Sequence, residues 1–456
     1  MTRATDPIDV DAAAQHRSIA REDRPHPPAS AASGLIDRLG WRRFGRDVWL
    51  LLAFTLGKGF QISIGAVTIN LYAYSLGYKQ DFVGLVAGMS ALGGLVMAVP
   101  AGMLSDRLGR RPVLLFTGLL TPLTLVAVAF STSAPALLIS SFVNGIIASF
   151  YWVTAVPMLA ESVGDDERVS ALAMNSFLLL GVGALGSLIG GFVPEIVATA
   201  IHQPSTAPVP LRLGVLAASV VVLLAALPLF WLRAPASKSR AKRAAQPDQR
   251  DERRPQLPQE DSRAQRAASR RSLMILFAML LIPDLIITFG EGIVVGLLQL
   301  FFFLKFGLHP GALGGLFTIA GILGGLSGLG APLLVKRWGK LRTTTSLQLA
   351  TSPIMLITGF APWLPLAAGA EYMRTLMRAL LDPVYSAFAL EQLPEEHRAT
   401  GFGFYNVTWG LGYSLGPALG GWLQVQVGLS AGFVVGAICL LLAPSMLLAF
   451  FGRRTR

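Results

Sequence analysis

The sequence predicts an all-α membrane protein whose twelve transmembrane helices form two six-helix bundles. Three observations predict it. Charge is scarce: of 456 residues, 53% are hydrophobic and 14% charged, against about 25% charged in an ordinary soluble domain. The apolar residues gather in runs that reach the roughly 20 residues a bilayer crossing needs. The second half of the chain repeats landmarks of the first at one fixed offset of 230 residues.

Taken in order, the runs fall at 47–76, 81–104, 112–131, 134–160, 169–194 and 212–232, then at 272–304, 311–335, 343–360, 364–390, 400–424 and 430–451. The first carries a polar series of Lys58, Gln61, Thr68 and Tyr72, and the second ends in a basic loop after Gly102. The third and sixth, typified by Val113–Phe130 and Leu211–Leu232, are almost uncharged. The fourth holds Asn144, Tyr151 and Trp152, and the fifth Asn175 and the closely spaced Gly186, Gly190 and Gly191. Residues 234–271 interrupt the pattern with eleven Lys/Arg, five Asp/Glu and repeated Pro, Gln and Ser. This composition predicts a disordered cytoplasmic linker. The seventh run repeats polar positions at Asp284, Thr288, Glu291 and Gln299, and the eighth ends at Lys336 and Arg337. The tenth holds Glu371, Arg374, Arg378 and Asp382. The eleventh carries Tyr405, Asn406, Trp409 and a glycine series, and the twelfth holds Cys439. The expected units are a tail 1–45, a bundle 46–233, the linker 234–271 and a bundle 272–452.

The net charge of +12 raises nucleic-acid binding, but its distribution argues against that. With the N-terminus inside, only Lys79, Arg212 and Lys305 of the 38 Lys/Arg lie outside, and Lys58, Arg374 and Arg378 lie within spans. The other 32 (38 − 3 − 3) are cytoplasmic, the positive-inside bias. Both termini are expected on the cytoplasmic face of an inner (plasma) membrane, with the lipid bilayer as partner and the protein monomeric. The single cysteine precludes an intrachain disulfide. The five histidines lie outside the spans, so no intramembrane metal cluster is expected. No cofactor is expected either. The first 45 residues lack the pattern of a cleavable signal peptide. Leu35–Phe44 reads as an in-plane amphipathic stretch or as plain linker.

The repeat aligns Glu161-Ser-Val-Gly-Asp-Asp-Glu-Arg168 with Glu391-Gln-Leu-Pro-Glu-Glu-His-Arg398. It also aligns Gly186, Gly190 and Gly191 with Gly416, Gly420 and Gly421, Arg107 and Gly109 with Arg337 and Gly339, and Gly77 and Gly84 with Gly307 and Gly314. Halves with even span numbers are parallel repeats about the membrane normal. After the second span comes Gly102-Met-Leu-Ser-Asp106-Arg107-Leu-Gly109-Arg110-Arg111-Pro112. A glycine for close helix approach, a carboxylate at a helix end and a run of arginines suit a gate held by charge pairs. A positive-inside loop is the plainer interpretation.

This segment resembles the loop signature of the major facilitator superfamily, G-x-L-[A/S]-D-R-x-G-R-[R/K], and the resemblance extends over residues 46–452. It implies two bundles rocking around a central substrate site, with this loop stabilising the outward-open state. Asp106 would meet the cytoplasmic end of the eleventh helix and Arg107 would pair with Glu161. In the second copy Pro332 and Lys336 replace the first glycine and the aspartate, while Arg337 and Glu391 retain a pair. The implied gate comprises Gly102, Asp106, Arg107, Gly109, Arg110, Arg111, Glu161, Arg168, Arg337, Glu391 and Arg398. The antiporter series G-x-x-x-G-P-x-x-G-G is incomplete on the fifth helix, where Val182 and Ser187 replace Gly and Pro. It is complete on the eleventh as Gly412-x-x-x-Gly416-Pro417-x-x-Gly420-Gly421. Such glycines also serve simply as packing surfaces. The family's fourth-helix arginine falls at Ser141 and is absent.

Seven ionisable residues fall at membrane depth: Lys58, Asp284, Glu291, Glu371, Arg374, Arg378 and Asp382. Charges there are costly and face an interior cavity or one another. Those of the tenth helix share one face, and their spacing also suits structural pairing of Arg374 with Glu371 and of Arg378 with Asp382. Asp284 and Glu291 have no local cation, and Lys58 is a candidate partner across the halves. Three cations against four acids leave one carboxyl to hold a proton, since desolvation favours its neutral form. The proton-coupling candidates are Glu291, then Asp284, with Asp382. The cavity candidates are Lys58, Gln61, Tyr72, Asn175, Glu291, Gln299, Arg374, Arg378, Tyr405, Asn406 and Trp409. No phosphate loop for ATP and no nucleophile–base or metal constellation for an enzyme occurs in the spans. The expected function is secondary-active transport of a small molecule, with proton-coupled export first. Symport or uptake of an organic anion held by Lys58, Arg374 and Arg378 is the alternative. A non-transporting receptor or scaffold on the same fold is the alternative of another class.

Overall fold

The computed structural model describes residues 44–233, 259–327, 330–394 and 397–452. Nearly all of the 1–45 tail, including residues 35–43 of the amphipathic stretch, and positions 234–258 of the linker lie outside the described residues. Within them there is helix and no strand. In the first half run α1 (Arg46–Ser75), α2 (Gln80–Leu108), α3 (Arg110–Phe130) and α4 (Ala134–Glu161). Next, α5 passes from Asp165–Ser176 through a π turn at Phe177–Val182 and a 3-10 turn at Gly183–Leu185 into Gly186–Ile201. It is followed by α6 (Pro208–Ala226). The second half holds α7 (Gln259–Val295, resumed at Leu298–Phe306), α8 (Pro310–Ser327, then Ala331–Trp338), α9 (Lys340–Phe360), α10 (Leu364–Glu391), α11 (Arg398–Gln426) and α12 (Ala431–Phe451).

Nine helices among the described residues are long and apolar enough to cross a membrane. The other three, α9, α10 and α11, are 21, 28 and 29 residues long but more polar. Nine and three agree with the twelve spans expected. One boundary moves: α7 begins at Gln259, so the end of the expected 234–271 linker is helical. Residues 259–271 contain no Gly or Pro and are built of Ala, Arg, Gln and other helix-tolerant residues.

Glycine lets the helices approach backbone to backbone. A Cβ at Gly186 of α5 would come within 2.5 Å of the Phe60 carbonyl oxygen of α1, and one at Gly416 of α11 within 2.6 Å of the Gly292 backbone of α7. Both are too close for any other residue, so the two glycine series are packing surfaces. The contacts between halves repeat at the 230 offset. Gly84 faces the Pro417 carbonyl, and Gly314 faces that of Ser187. Gly421 faces Gln80, and Gly191 faces Pro310. Gly88 faces the Ser414 carbonyl, while Thr318 donates to the Ala184 carbonyl at 2.9 Å. More contacts seal the same end of the bundle. Asn70 donates to the Gly296 carbonyl at 2.8 Å, where α7 is interrupted, and the Tyr74 and Phe303 rings meet edge to face at 6.0 Å. The Glu195 carboxylate accepts from His309 and from the Gly311 N–H.

At the opposite end two ion pairs, each inside one half, correct the expected register. Arg110, not Arg107, holds Glu161 at 2.8 Å, and Lys340, not Arg337, holds Glu391. Gly109 and Gly339 take positive φ of 90° and 76°, which ends one helix and starts the next. The residue after each glycine meets the end of the next helix in the chain, Arg110 that of α4 and Lys340 that of α10. A Cβ on Gly102 would meet open space, and Asp106 and Arg107 are exposed. Among the described residues the expected contact of Asp106 with the start of α11 is not made. Arg111 donates to the Phe230 carbonyl at 3.0 Å, and exposed Arg168 to that of Ala160 at 3.2 Å.

Candidate functional site

One face of α10 meets α7 in a chain of charges. Glu371, Arg374, Arg378 and Asp382 follow one another at spacings of three and four, which align them on a helix. Arg374 grips Glu371 with two parallel bonds of 2.8 and 2.7 Å and reaches across to Glu291 of α7 at 2.8 Å. Arg378 binds the same Glu291 oxygen at 2.7 Å, and its Nε lies 3.7 Å from Asp382. Thr375 adds a hydroxyl bond to Glu371 at 3.1 Å. The side chains of Glu371, Glu291 and Arg374 are 2%, 4% and 5% exposed, while Arg378 retains 21%. Arg378 is thus the more accessible of the two guanidiniums here, and its central carbon lies 5.8 Å from the centre of the Tyr413 ring.

This geometry corrects the expectation that Glu291 lacks a cation. Asp284, two helical turns away on α7, is the membrane-depth carboxylate that pairs with no cation among the described residues. It is buried, and its partner is the hydroxyl of Thr408 on α11. Thr288 bonds to the Thr408 carbonyl at 3.1 Å and fixes the two helices at that level. Asp284 opens onto a small, mainly apolar recess bounded by Phe277, Tyr385, Ser386, Phe402 and Tyr405.

A second polar group lies in the first half. Lys58 is 2% exposed and donates to Gln61 at 2.6 Å, with its ammonium 5.4 Å from the Tyr151 ring. It does not bridge to Glu291, and among the described residues no carboxylate pairs with it. Thr55 beside it donates to Asn175 at 2.8 Å. Tyr72, expected in the cavity, is fully buried and gives its hydroxyl to the Ala129 carbonyl at 2.7 Å. It is therefore a strut between α1 and the end of α3. Asn406 is exposed and bonds its own helix at Phe402, and Trp409 leans on Tyr413 at 4.7 Å. Gln299 is half-buried on the second segment of α7, and the rings of Tyr405 and Tyr385 lie 6.0 Å apart. Thr408 and Tyr413 were not singled out by the sequence. Their signal was weak, a hydroxyl and a phenol on a glycine-rich helix. No cluster of metal-ligating side chains forms among the described residues.

The family profile described as Major Facilitator Superfamily matches residues 49–373 and 373–456. Among curated proteins, the chain is 26% identical over 162 residues to the multi-drug resistance efflux pump PmrA of Streptococcus pneumoniae. That match covers 35% of this chain and 40% of the pump. It is 28% identical over 147 residues to the multidrug resistance protein MdtL of a Shewanella species, covering 32% and 37%. The chain thus spans about two-fifths of the length of these relatives. Among solved structures, a D-xylose-proton symporter superposes with a TM-score of 0.68 at 14% identity, covering 88% of this chain and 97% of the other.

Proposed function

The chain belongs to the major facilitator superfamily, and on that premise we propose a secondary-active transporter working by alternating access. It exports a small organic or amphiphilic compound in exchange for protons. It is a multi-pass membrane protein, and the positive-inside bias supports an inner-membrane orientation with both termini cytoplasmic. The end sealed by the paired glycines then faces outward and the arginine-rich end faces the cytoplasm, an inward-open arrangement. Partial matches to a multi-drug resistance efflux pump and to a multidrug resistance protein support the export direction.

The observation that carries proton coupling is Asp284. A buried carboxylate with a hydroxyl as partner gains and loses a proton without breaking an ion pair. Glu291, clamped by two guanidiniums, is suited to holding α7 against α10. The test is flux in proteoliposomes under an imposed pH gradient with a panel of amphiphilic compounds. Asp284→Asn is expected to abolish gradient-driven accumulation while leaving exchange of substrate for substrate. Unchanged gradient dependence in Asp284→Asn rejects Asp284 as the carrier.

The organic-anion alternative draws support from Lys58, a buried amine with no carboxylate partner among the described residues. Competition separates the two: hydrophobic cations inhibit in the first case, small carboxylates in the second. Lys58→Gln removes the inhibition by carboxylates.

A further inference from the structure

The seam that closes the sealed end is made twice at the 230 offset, but its two copies carry different chemistry. On the α5–α8 side His309 pairs with the Glu195 carboxylate across the halves. On the α2–α11 side Lys79 holds the position of His309, and Val425 that of Glu195. No ion pair forms there among the described residues, and a cleft of about 670 Å³ lies open beside Lys79 and Val425. One pair therefore ties the halves at this end, and it contains an imidazole. The Glu195 oxygen that meets His309 Nδ1 also accepts from the Gly311 N–H at 2.9 Å. From the other side the Ala312 N–H points at the same Nδ1 at 3.4 Å. His309 immediately precedes α8. It thus holds the cap position, whose side chain can accept from the third N–H of the helix.

We propose that His309 is a proton-operated latch: charged, it locks the seam through Glu195, and neutral, it gives Nδ1 to the Ala312 N–H and lets the seam part. A carboxylate only accepts, so the bond to Glu195 needs a proton on Nδ1, whereas the bond to Ala312 needs a lone pair there. The two exclude each other. An imidazolium carries protons on both nitrogens and has only the first bond, while a neutral ring can place its proton on Nε2 and take the second. Imidazole is the side chain whose ordinary charge change falls between pH 5 and 8. The His309 and Glu195 side chains are 63% and 25% exposed, so a proton from solution reaches the pair directly. Other charged groups on the elements packed around it are engaged elsewhere. Lys305 of α7 donates to the Gly359 carbonyl, Arg212 of α6 lies against the Tyr72 and Phe130 rings, and Glu371 of α10 is gripped by Arg374. His202 beyond α5 and the phenols of Tyr74 and Tyr372 complete the titratable groups of these elements. That this end faces outward rests on the transporter reading. On that reading, acid outside closes the end through which the proton entered, so loading and closure run in one direction.

The test is pulsed double electron–electron resonance on the full chain in lipid nanodiscs, with spin labels on Ser133→Cys and Pro362→Cys in a Cys439→Ala background. Both positions are exposed, in the α3–α4 and α9–α10 loops of the sealed end. Between about pH 5.5 and about pH 8.5 the share of molecules with the labels far apart is expected to rise about two- to fivefold, the effect of one exposed ion pair. His309→Gln and Glu195→Gln should make that share insensitive to pH. His309→Lys keeps its charge across the range and should hold the end closed throughout. Asp284→Asn and His202→Gln should leave the response in place. A response that survives His309→Gln overturns the proposal, as does no response in the parent chain, or a His309→Lys protein that opens as His309→Gln does. Loss of the response in Asp284→Asn or His202→Gln also overturns it, by moving the sensor to that residue. None of these readouts depends on flux, so failure here and failure of the transport reading are separate results.

Discussion

Arg374 shows what a guanidinium needs at membrane depth. Three of its nitrogens point at carboxylate oxygens, two on Glu371 and one on Glu291. The fixed fork of Arg makes such a double grip available where Lys would offer a point charge. Truncation leaves Glu371 with Thr375 alone and strips Glu291 of one of two cations. Arg374→Ala is therefore expected to destabilise the protein by about 3–5 kcal/mol, the typical result of breaking a buried pair from one side. Thermal unfolding in detergent measures it. Lys58→Met is expected to behave oppositely: no carboxylate loses its partner, so the melting temperature holds or rises while transport of any anionic substrate falls. The sequence already contained the Arg374–Glu371 pair, because both residues sit on one helix at a spacing of three. It could not show that Glu291 meets Arg374 and Arg378 while Lys58 turns to Gln61. A helical face says where a side chain points from its own axis and is silent on which helix stands opposite.

At the level of helices, the glycine series were visible in the sequence but their partners were not. Gly84 and Gly314 mark where α2 meets α11 and where α5 meets α8, with no room for a Cβ against the opposing carbonyl. Gly84→Leu is expected to pry this end apart. In a Cys439→Ala background, a cysteine placed at Ser75 should react several-fold faster with an impermeant maleimide than in the unaltered interface. An unchanged rate would mean that α2 and α11 part without the close approach. The shift of the ion pairs from Arg107 to Arg110 and from Arg337 to Lys340 has the same origin. Loop charges can be counted from sequence, but the positive φ at Gly109 and Gly339 decides which of them turns inward. The helical extension of α7 back to Gln259 escaped a composition argument because a charged segment of Ala, Arg and Gln suits a helix as well as a linker.

The contacts described between halves gather at one end, while the Arg110–Glu161 and Lys340–Glu391 pairs at the other each lie inside one half. Removing an outer tie should therefore favour the opposite arrangement without unfolding either bundle. Glu195→Gln weakens the link to His309 and the capping bond to Gly311. It is expected to raise maleimide labelling at the sealed end and to change the melting temperature little. A large drop in melting temperature instead would make Glu195 a structural pin.

The matched contacts at the 230 offset make the seam between halves isologous: each half offers the other the same patch, as in a two-fold dimer. A self-complementary seam does not depend on a covalent tether for its specificity. Two chains cut between Arg233 and Gln259 should recombine when produced together, the tagged half retaining the untagged one through purification. In that light the two halves are expected to meet as the two subunits of a pseudo-symmetric dimer would.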